Sequence, residues 1–346
     1  MTINVAVLTS EGLILSCDSI ASITEYLVNP FACANEPAAD GSLKVTVMPA
    51  DIIPSVTHTW DGVTKLFLLQ GGSCPVAAVT AGLAKLNNRS MSSYANQFLT
   101  ERGGPTPTEI PGIIPLPGFS PIKPVAPTVA EVAQQFLEFM RQHYDTHYAD
   151  SKVPESYRDG PLFLVGGYSR ADHLPSLYRL DVQDNSVKPV YAAGNFGLAW
   201  GGQSDAVERL IRGYDSELRA SIEEQLAQSL NGLRKTMGEA TASMLQQVID
   251  KAGIPLPEGI NTELPAVPEV TIPWNRYVSQ IAYGNLPLQD AVDLASFLVG
   301  LQSGKSKFST GVPTVGGRTH IGVVTKHEGF RMLGEPELRH THVGFV

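Results

Sequence analysis

The sequence predicts an α+β fold of two packed β-sheets between helical layers, that is, a four-layer αββα sandwich. The chain opens with alternating and β-branched residues, which predict a strand at its very start. Strand-like and helix-like segments then follow each other in groups, an order that two sheets covered by helices accommodate simply. With 346 residues, 43% of them hydrophobic, the chain can form one large core. We expect a single domain over 1–346 with insertions at about 26–60, 101–127 and 200–275.

The strands are predicted mainly as hairpins. Segments 2–8 and 13–17 flank a Ser-Glu-Gly turn, which indicates an antiparallel pair. A second hairpin is predicted from 63–69 and 75–80 around a Gly-rich turn. The remaining strand-like segments are short and rich in apolar and β-branched residues, and they lie at 43–47, 163–168, 177–181, 190–193, 319–325 and 330–333.

The helices are predicted from apolar spacing and from capping signals. Thr128 precedes Glu131 at the spacing of a capping box, so a helix is expected from Thr128 to about Ala149. Apolar residues recur with a period near 3.6 over 204–252, which predicts a long helical stretch of two helices. Residues 83–100 and 287–301 also have helical character, whereas the prolines of 101–127 and 254–275 favour extended loops.

Composition excludes several classes of function. A net charge of −9 without any Lys/Arg cluster argues against a nucleic-acid partner, and no apolar run is long enough to span a membrane. Cys17, Cys33 and Cys74 show no paired spacing, which indicates reduced thiols in the cytoplasm. The segment 14–17 is similar to a lipoprotein cleavage box, but no basic residue precedes it, so no export is expected.

No metal or cofactor site is predicted. His143 and His147 lie four residues apart on an expected helix, yet no third ligand lies nearby, so a packing or surface role is favoured over a metal site. The diglycine Gly71-Gly72 lacks the following Lys-Ser/Thr of a phosphate loop.

The start of the chain carries the chemistry of interest, because Thr2 follows Met1 directly. A threonine hydroxyl is a poor nucleophile without a nearby base. A free α-amine on the same residue is such a base, since its ordinary pKa is roughly 7.7–8.0. Threonine is small enough for methionine removal, so we expect Thr2 to become the first residue and to act as a nucleophile.

The surrounding motifs resemble those of proteasome β subunits and bacterial HslV peptidases. Those families share the alternating strand of 2–7, the turn glycine and apolar strand of 12–17, and an aspartate sixteen residues after the nucleophile, here Asp18. Segments 63–66 and 77–82 are similar to their lysine-bearing strand and small-residue turn, and later pieces extend the resemblance over about half of the chain. The resemblance implies that Thr2 is the nucleophile, that Asp18 and Lys65 are its charged partners, and that Gly82 supplies an oxyanion N–H.

The sequence departs from the family pattern in two places near these residues. The path from Asp18 to Lys65 is about thirty residues longer than in the family, which leaves Lys44 as a rival to Lys65. The family's late Asp-x-x-Ser-Gly-Gly is replaced by Val-Pro-Thr-Val-Gly-Gly at 312–317, so both polar residues are missing. Thr314, Ser309 and Asn195 are the candidates to replace them.

Two functions are consistent with these residues. The first is a threonine-type N-terminal nucleophile amidohydrolase, a peptidase that acts on a peptide or amide substrate through an acyl-enzyme at Thr2. The second is a noncatalytic assembly or scaffold protein that keeps the fold. The resemblance also implies a homo-oligomer, either a ring or a helical assembly, and no cofactor.

Overall fold

The structure is a computed structural model, and it describes residues 2–28, 34–37, 43–46, 52–102, 127–153, 155, 158–253 and 271–334. The chain divides into two compact units, one formed by Met1–Ser204 with Ile281–Val346 and the other by Asp205–Gln280. The second unit overlaps the predicted insertion at 200–275, and the single-domain prediction stays a prediction.

The described residues form sixteen strands and five α-helices. The strands are β1 (Ile3–Leu8), β2 (Leu13–Cys17), β3 (Ala21–Val28), β4 (Ala34–Pro37), β5 (Leu43–Thr46), β6 (Ile52–Trp60), β7 (Leu66–Gln70), β8 (Val76–Gly82), β9 (Lys85–Leu86), β10 (Arg89–Ser90), β11 (Pro161–Gly167), β12 (Ser176–Asp181), β13 (Ser186–Tyr191), β14 (Gly197–Gly202), β15 (His320–Thr325) and β16 (Gly329–Leu333). The helices are α1 (Met91–Arg102), α2 (Val129–Tyr148), α3 (Asp205–Arg212), α4 (Ser216–Ala252) and α5 (Leu288–Phe308).

The first five-stranded sheet contains the start of the chain and has the order β14-β1-β2-β15-β16. All of its neighbours are antiparallel, and β1 lies between β2 and β14, so the first strand is fixed on both sides. Every residue of β1 and β2 is buried, because α5 contacts β1, β2 and β15 on one face while the second sheet contacts the other. The predicted N-terminal hairpin is confirmed.

The second five-stranded sheet has the order β13-β12-β11-β8-β7 and is also antiparallel. Helix α1 contacts β7, and α2 contacts β11, β12 and β13, with aromatic residues such as Phe136 and Phe163 packed between them. A separate apolar cluster, which includes Leu15, Ala77 and Leu164, joins residues of the two sheets. A mixed α and β fold with several sheets is therefore confirmed, and the four-layer arrangement stays a prediction.

Helix α2 begins as its capping box predicts. The Thr128 hydroxyl accepts a hydrogen bond from the Glu131 N–H at 3.2 Å, and the Glu131 carboxylate accepts one from the Thr128 N–H at 2.7 Å. In the second unit, α3 and α4 confirm the predicted pair of helices. Asp215 caps the start of α4, and Gly253 ends it in a left-handed conformation at φ 62°.

Several predicted elements differ from the structure. The helix expected over 83–100 is wrong in its first half, because Asn87 and Asn88 adopt positive φ and turn β9 into β10 before α1 begins. The strand expected at 190–193 lies at Ser186–Tyr191 instead, on the sheet edge where Pro189 is tolerated. Strands β3, β4, β6, β9, β10 and β14 were not predicted, and α5 is longer than expected.

Parts of other predictions fall outside the described residues. These are the removal of Met1, Cys33, and most of the proline-rich segments, at 103–126 and 254–270. None of the helices in the described ranges is long and apolar enough to cross a membrane.

Candidate active site

Asp18 is the fixed centre of the site, directly after β2. Its side chain is fully buried and accepts four hydrogen bonds. One carboxylate oxygen accepts from Lys65 Nζ at 2.8 Å and from the Ile3 N–H at 3.2 Å. The other accepts from the N–H groups of Ile20 at 3.2 Å and Gly316 at 3.1 Å. Three chain segments that are distant in sequence are thereby held at one carboxylate.

Lys65 lies just ahead of β7, and its ammonium group is directed into the interior. Only 4% of its side chain is exposed, and Nζ donates both to Asp18 and to the carbonyl of Ile20. The backbone holds the residue in place as well, since the Lys65 carbonyl accepts from the Thr80 N–H at 2.9 Å. A buried ammonium needs this compensation, because desolvation of an unpaired charge is costly.

Thr2 immediately precedes β1 and is 5% exposed. Its carbonyl accepts a hydrogen bond from the Gln203 N–H at 2.7 Å. Gly202 permits this approach: its φ is +79°, and a Cβ at this position would lie 1.9 Å from the Thr2 carbonyl oxygen. The residue that leads into the strand is therefore packed into the fold rather than frayed.

Thr2, Lys65 and Gly82 line one narrow cleft. Its other walls are mainly apolar and comprise Val63, Thr64, Thr80, Ala81, Leu83, Ala84 and Met91. Gly82 ends β8 with φ +80°, and a Cβ there would lie 2.6 Å from the Gly160 carbonyl oxygen, so glycine is required. The structure brings four predicted residues together: Thr2, Lys65 and Gly82 in the cleft, and Asp18 behind Lys65.

Asn195 and Ser309 lie away from this cleft. Asn195 lines a different, open cavity with Tyr191 and Tyr283, and its N–H donates to the Ala192 carbonyl at 3.0 Å. The Ser309 hydroxyl donates to the Lys305 carbonyl at 2.8 Å at the end of α5.

Lys44 and Thr314 belong to different parts of the structure. Lys44 lies on β5, opposite Glu36 of β4 in a separate two-stranded sheet, and its side chain is not among the described ones. Thr314 is linked to the site, because its hydroxyl donates at 2.8 Å to the side chain of Gln203, whose N–H binds the Thr2 carbonyl.

Sequence reasoning missed Gly316, Gln203 and Ser306. The Gly-Gly pair at 316–317 was visible as the remnant of a motif, but nothing in the sequence indicated that the Gly316 N–H binds Asp18. Ser306 of α5 accepts from the N–H groups of Thr314 and Val315 at 3.1 and 3.3 Å, which fixes the approach to Gly316. Backbone donors of this kind leave no side-chain signal.

The electrostatics reflect the burial of the site. Burial raises the pKa of Asp18 above its ordinary value, and the Lys65 ammonium and the N–H groups of Gly316 and Ile3 oppose that rise. Burial raises the pKa of the Cys17 thiol to about 12, so this neighbour of Asp18 is held as an unreactive thiol. Burial, reinforced by Lys65, lowers the pKa of His320 and favours its neutral form.

The helical histidine pair takes part in packing. The His143 ring lies 4.6 Å from that of Tyr94 and 4.7 Å from that of Phe139, while Nδ1 of His147 lies 3.0 Å from the Asn87 side-chain oxygen. Among the residues that the structure describes, no group of three or more His, Cys, Asp or Glu is arranged to hold a metal ion.

Comparison with known proteins gives only distant likenesses. No family model matches the chain, and no curated protein matches it. Anbu (ancestral beta-subunit) from Yersinia bercovieri is 12% identical, with a TM-score of 0.40 over 95% of this chain and 82% of that one. A mutant Anbu from Hyphomicrobium sp. strain MC1 is 11% identical, with a TM-score of 0.43 over 97% and 89%. The helical assembly of the Anbu complex from Pseudomonas aeruginosa is 13% identical, with a TM-score of 0.42 over 93% and 81%.

These findings correct the predicted family. Assignment to the proteasome β subunits and HslV peptidases is wrong, because the similar structures named above are Anbu proteins and no family model or curated protein supports the assignment. Likenesses at this identity and TM-score do not establish a family for the chain.

Proposed function

We propose that this chain is a threonine-type N-terminal nucleophile amidohydrolase that cleaves a peptide or amide bond through an ester at Thr2. One observation carries the proposal: Thr2, Lys65 and Gly82 line the same cleft, and a fully buried carboxylate holds Lys65 there. The proposal includes removal of Met1, which frees the Thr2 amine.

In the proposed reaction the α-amine of Thr2 takes the proton of its own hydroxyl. The Lys65 ammonium keeps the amine neutral before the transfer and stabilises the alkoxide that the transfer produces. The alkoxide attacks the substrate carbonyl carbon, and the carbonyl oxygen becomes an oxyanion that accepts a hydrogen bond from the Gly82 N–H. The protonated amine then gives its proton to the leaving nitrogen as the C–N bond breaks.

The ester is hydrolysed by the same groups, and the Thr2 amine again acts first as a base and then as an acid. A water molecule loses its proton to the Thr2 amine and attacks the ester carbonyl, and the returning proton restores the threonine hydroxyl as the acid product leaves. Asp18 does not touch the reacting atoms in this scheme; it positions Lys65 and balances its charge in the interior.

The absence of the late Asp/Ser pair is offset in this proposal by backbone groups. The Gly316 N–H binds Asp18, and the Gln203 N–H binds the Thr2 carbonyl, so both catalytic segments are oriented without those side chains. The mainly apolar walls of the cleft favour an apolar side chain on the acyl side of the cleaved bond.

The decisive experiment is intact and peptide mass spectrometry after treatment with a peptide epoxyketone, which reacts with the hydroxyl and the free amine of an N-terminal threonine. We expect Met1 to be absent and one adduct on the Thr2 peptide, lost in Thr2→Ala. Thr80→Val is the matched control, because Thr80 lines the same cleft and its hydroxyl donates to the Leu162 carbonyl. A retained Met1 without any adduct would defeat the proposal and favour the scaffold function.

The finer predictions of fold, assembly and compartment belong to the same proposal. The packing of α2 on one sheet and α5 on the other supports the four-layer arrangement. Helix α4 exposes Leu233, Met237 and Met244 by 61%, 59% and 68%, which supports a homo-oligomer, testable by light scattering. The buried free thiols among the described residues support a cytoplasmic protein.

A further inference from the structure

Three buried residues, Asn4, Cys17 and His320, lie side by side across the first sheet, next to the proposed site. Asn4 of β1 is opposite Cys17 of β2, and Cys17 is opposite His320 of β15. Directly opposite residues share a face of the sheet. Cys17, like Leu15 two residues before it, belongs to the apolar cluster between the two sheets. The His320 side chain is therefore on the face that meets the second sheet, and the residue is only 2% exposed.

His320 is unusual because neither of its ring nitrogens has a hydrogen-bond partner among the described residues. Buried polar atoms are nearly always paired, and an unpaired one calls for an explanation. The charge state of this buried ring affects the ionic groups around it.

The charged groups that act on His320 come from three segments. Lys65 and Arg318 favour the neutral ring, and Asp18 and Asp61 favour the charged one, while burial acts with the two cations. Asp18 is already paired with Lys65 at 2.8 Å, so a proton on His320 would bring a second positive charge to act on one buried carboxylate. Asp61 is engaged elsewhere, since it accepts from the Ser19 hydroxyl and the Gly62 N–H.

We propose that His320 is a positioning residue for the Thr2 site. When its ring is neutral, Asp18 pairs with Lys65 alone; when its ring is protonated, the ring competes for Asp18 and displaces the Lys65 ammonium. The proposal rests on the proposed function of Thr2. Thr2 then loses its reactivity through two protonations as the pH falls, one at the Thr2 amine and one at His320.

The test measures the rate of epoxyketone labelling of Thr2 as a function of pH. In the native protein, below both midpoints, the rate falls about a hundredfold per pH unit, because two protons are taken up. In His320→Leu and in His320→Asn it falls only about tenfold per unit, because one proton remains. His327→Asn, in the exposed turn after the same strand, keeps the hundredfold dependence. A tenfold dependence in the native protein, or a hundredfold one in both His320 variants, overturns the proposal.

An NMR titration of ring-labelled histidine separates this proposal from the proposed function. The His320 signal, assigned by its loss in His320→Leu, should have its midpoint below that of an ordinary histidine, because burial and Lys65 lower its pKa. Lys65→Met raises that midpoint and Asp18→Asn lowers it, each by about half a pH unit or more. If Thr2 is never labelled, the proposed function fails and this titration alone decides: midpoints unmoved by both variants overturn the coupling of His320 to the ion pair.

Discussion

Replacing Lys65 with methionine removes the cation of the buried pair and preserves most of the side-chain volume. The substitution leaves Asp18 with no exposed surface and without the counter-ion that now lies 2.8 Å away. Its remaining partners are the N–H groups of Ile3, Ile20 and Gly316, at 3.1–3.2 Å. The free energy of unfolding should therefore fall because a buried charge loses its compensation, rather than because packing is lost.

The expected loss is about 3 kcal/mol at pH 8, the lower end of the roughly 3–5 kcal/mol seen when one partner of a buried ion pair is removed. The lower end applies because three backbone donors still solvate the carboxylate. With a urea dependence of about 3 kcal/mol per molar for a unit of this size, the unfolding midpoint should drop by about 1 M.

The loss in the free energy of unfolding should be larger at high pH than at low pH. Without Lys65 the folded-state pKa of Asp18 rises further above its unfolded value, so the folded variant binds a proton that the unfolded chain does not. The stability of the variant then falls as pH rises through the window between these two values, by up to about 1.4 kcal/mol per pH unit. The defect is therefore smaller at pH 5 than at pH 8.

Urea unfolding followed by circular dichroism at both pH values measures the effect. Asp18→Asn in the Lys65→Met background should restore part of the stability at pH 8, because it removes the unpaired charge. Lys235→Met, which breaks an exposed pair with Glu239 at 4.0 Å, should leave the midpoint unchanged. An equal loss at both pH values, or a double variant weaker than Lys65→Met, would refute the reasoning.

Three further outcomes test the structure. Gly202→Ala should lower the free energy of unfolding by at least about 2 kcal/mol and weaken Thr2 labelling, because the new Cβ meets the Thr2 carbonyl oxygen at positive φ. Gly300→Ala, with open space around it, should instead raise the free energy of unfolding by about 0.5–1 kcal/mol. Equal effects of the two substitutions in urea unfolding would contradict this. Thr128→Ala should cost about 1 kcal/mol through loss of the α2 cap, measured in the same way, and no loss would count against the capping box. The Cys17 thiol should react with iodoacetamide at pH 8 about a thousandfold more slowly in the native protein than in guanidinium, since burial raises its pKa to about 12; comparable rates at the Cys17 peptide would exclude the buried thiol.

Features set by neighbours in the chain were predictable from the sequence. The hairpin of 2–17 follows from alternation around a short turn, and the start of α2 follows from Thr128 and Glu131 three residues apart. The left-handed pair Asn87-Asn88 was equally local, but it was overlooked because the surrounding residues also suit a helix. Strand β14, with glycines at both ends and no β-branched residue, carries almost no strand signal.

By itself the sequence determined that Thr2 leads into a buried strand and that Asp18 follows the next one, because both statements depend on residues close together in the chain. Only the tertiary structure decided which lysine meets Asp18, since Lys65 lies 47 residues away and β7 has to pack before the two meet. The same holds for Gly316, whose N–H reaches Asp18 across 298 residues, and for Asn195, which the fold places in another cavity. Local spacing encodes turns and caps, whereas the partners of a buried charge are fixed only when distant strands pair and exclude water from around it.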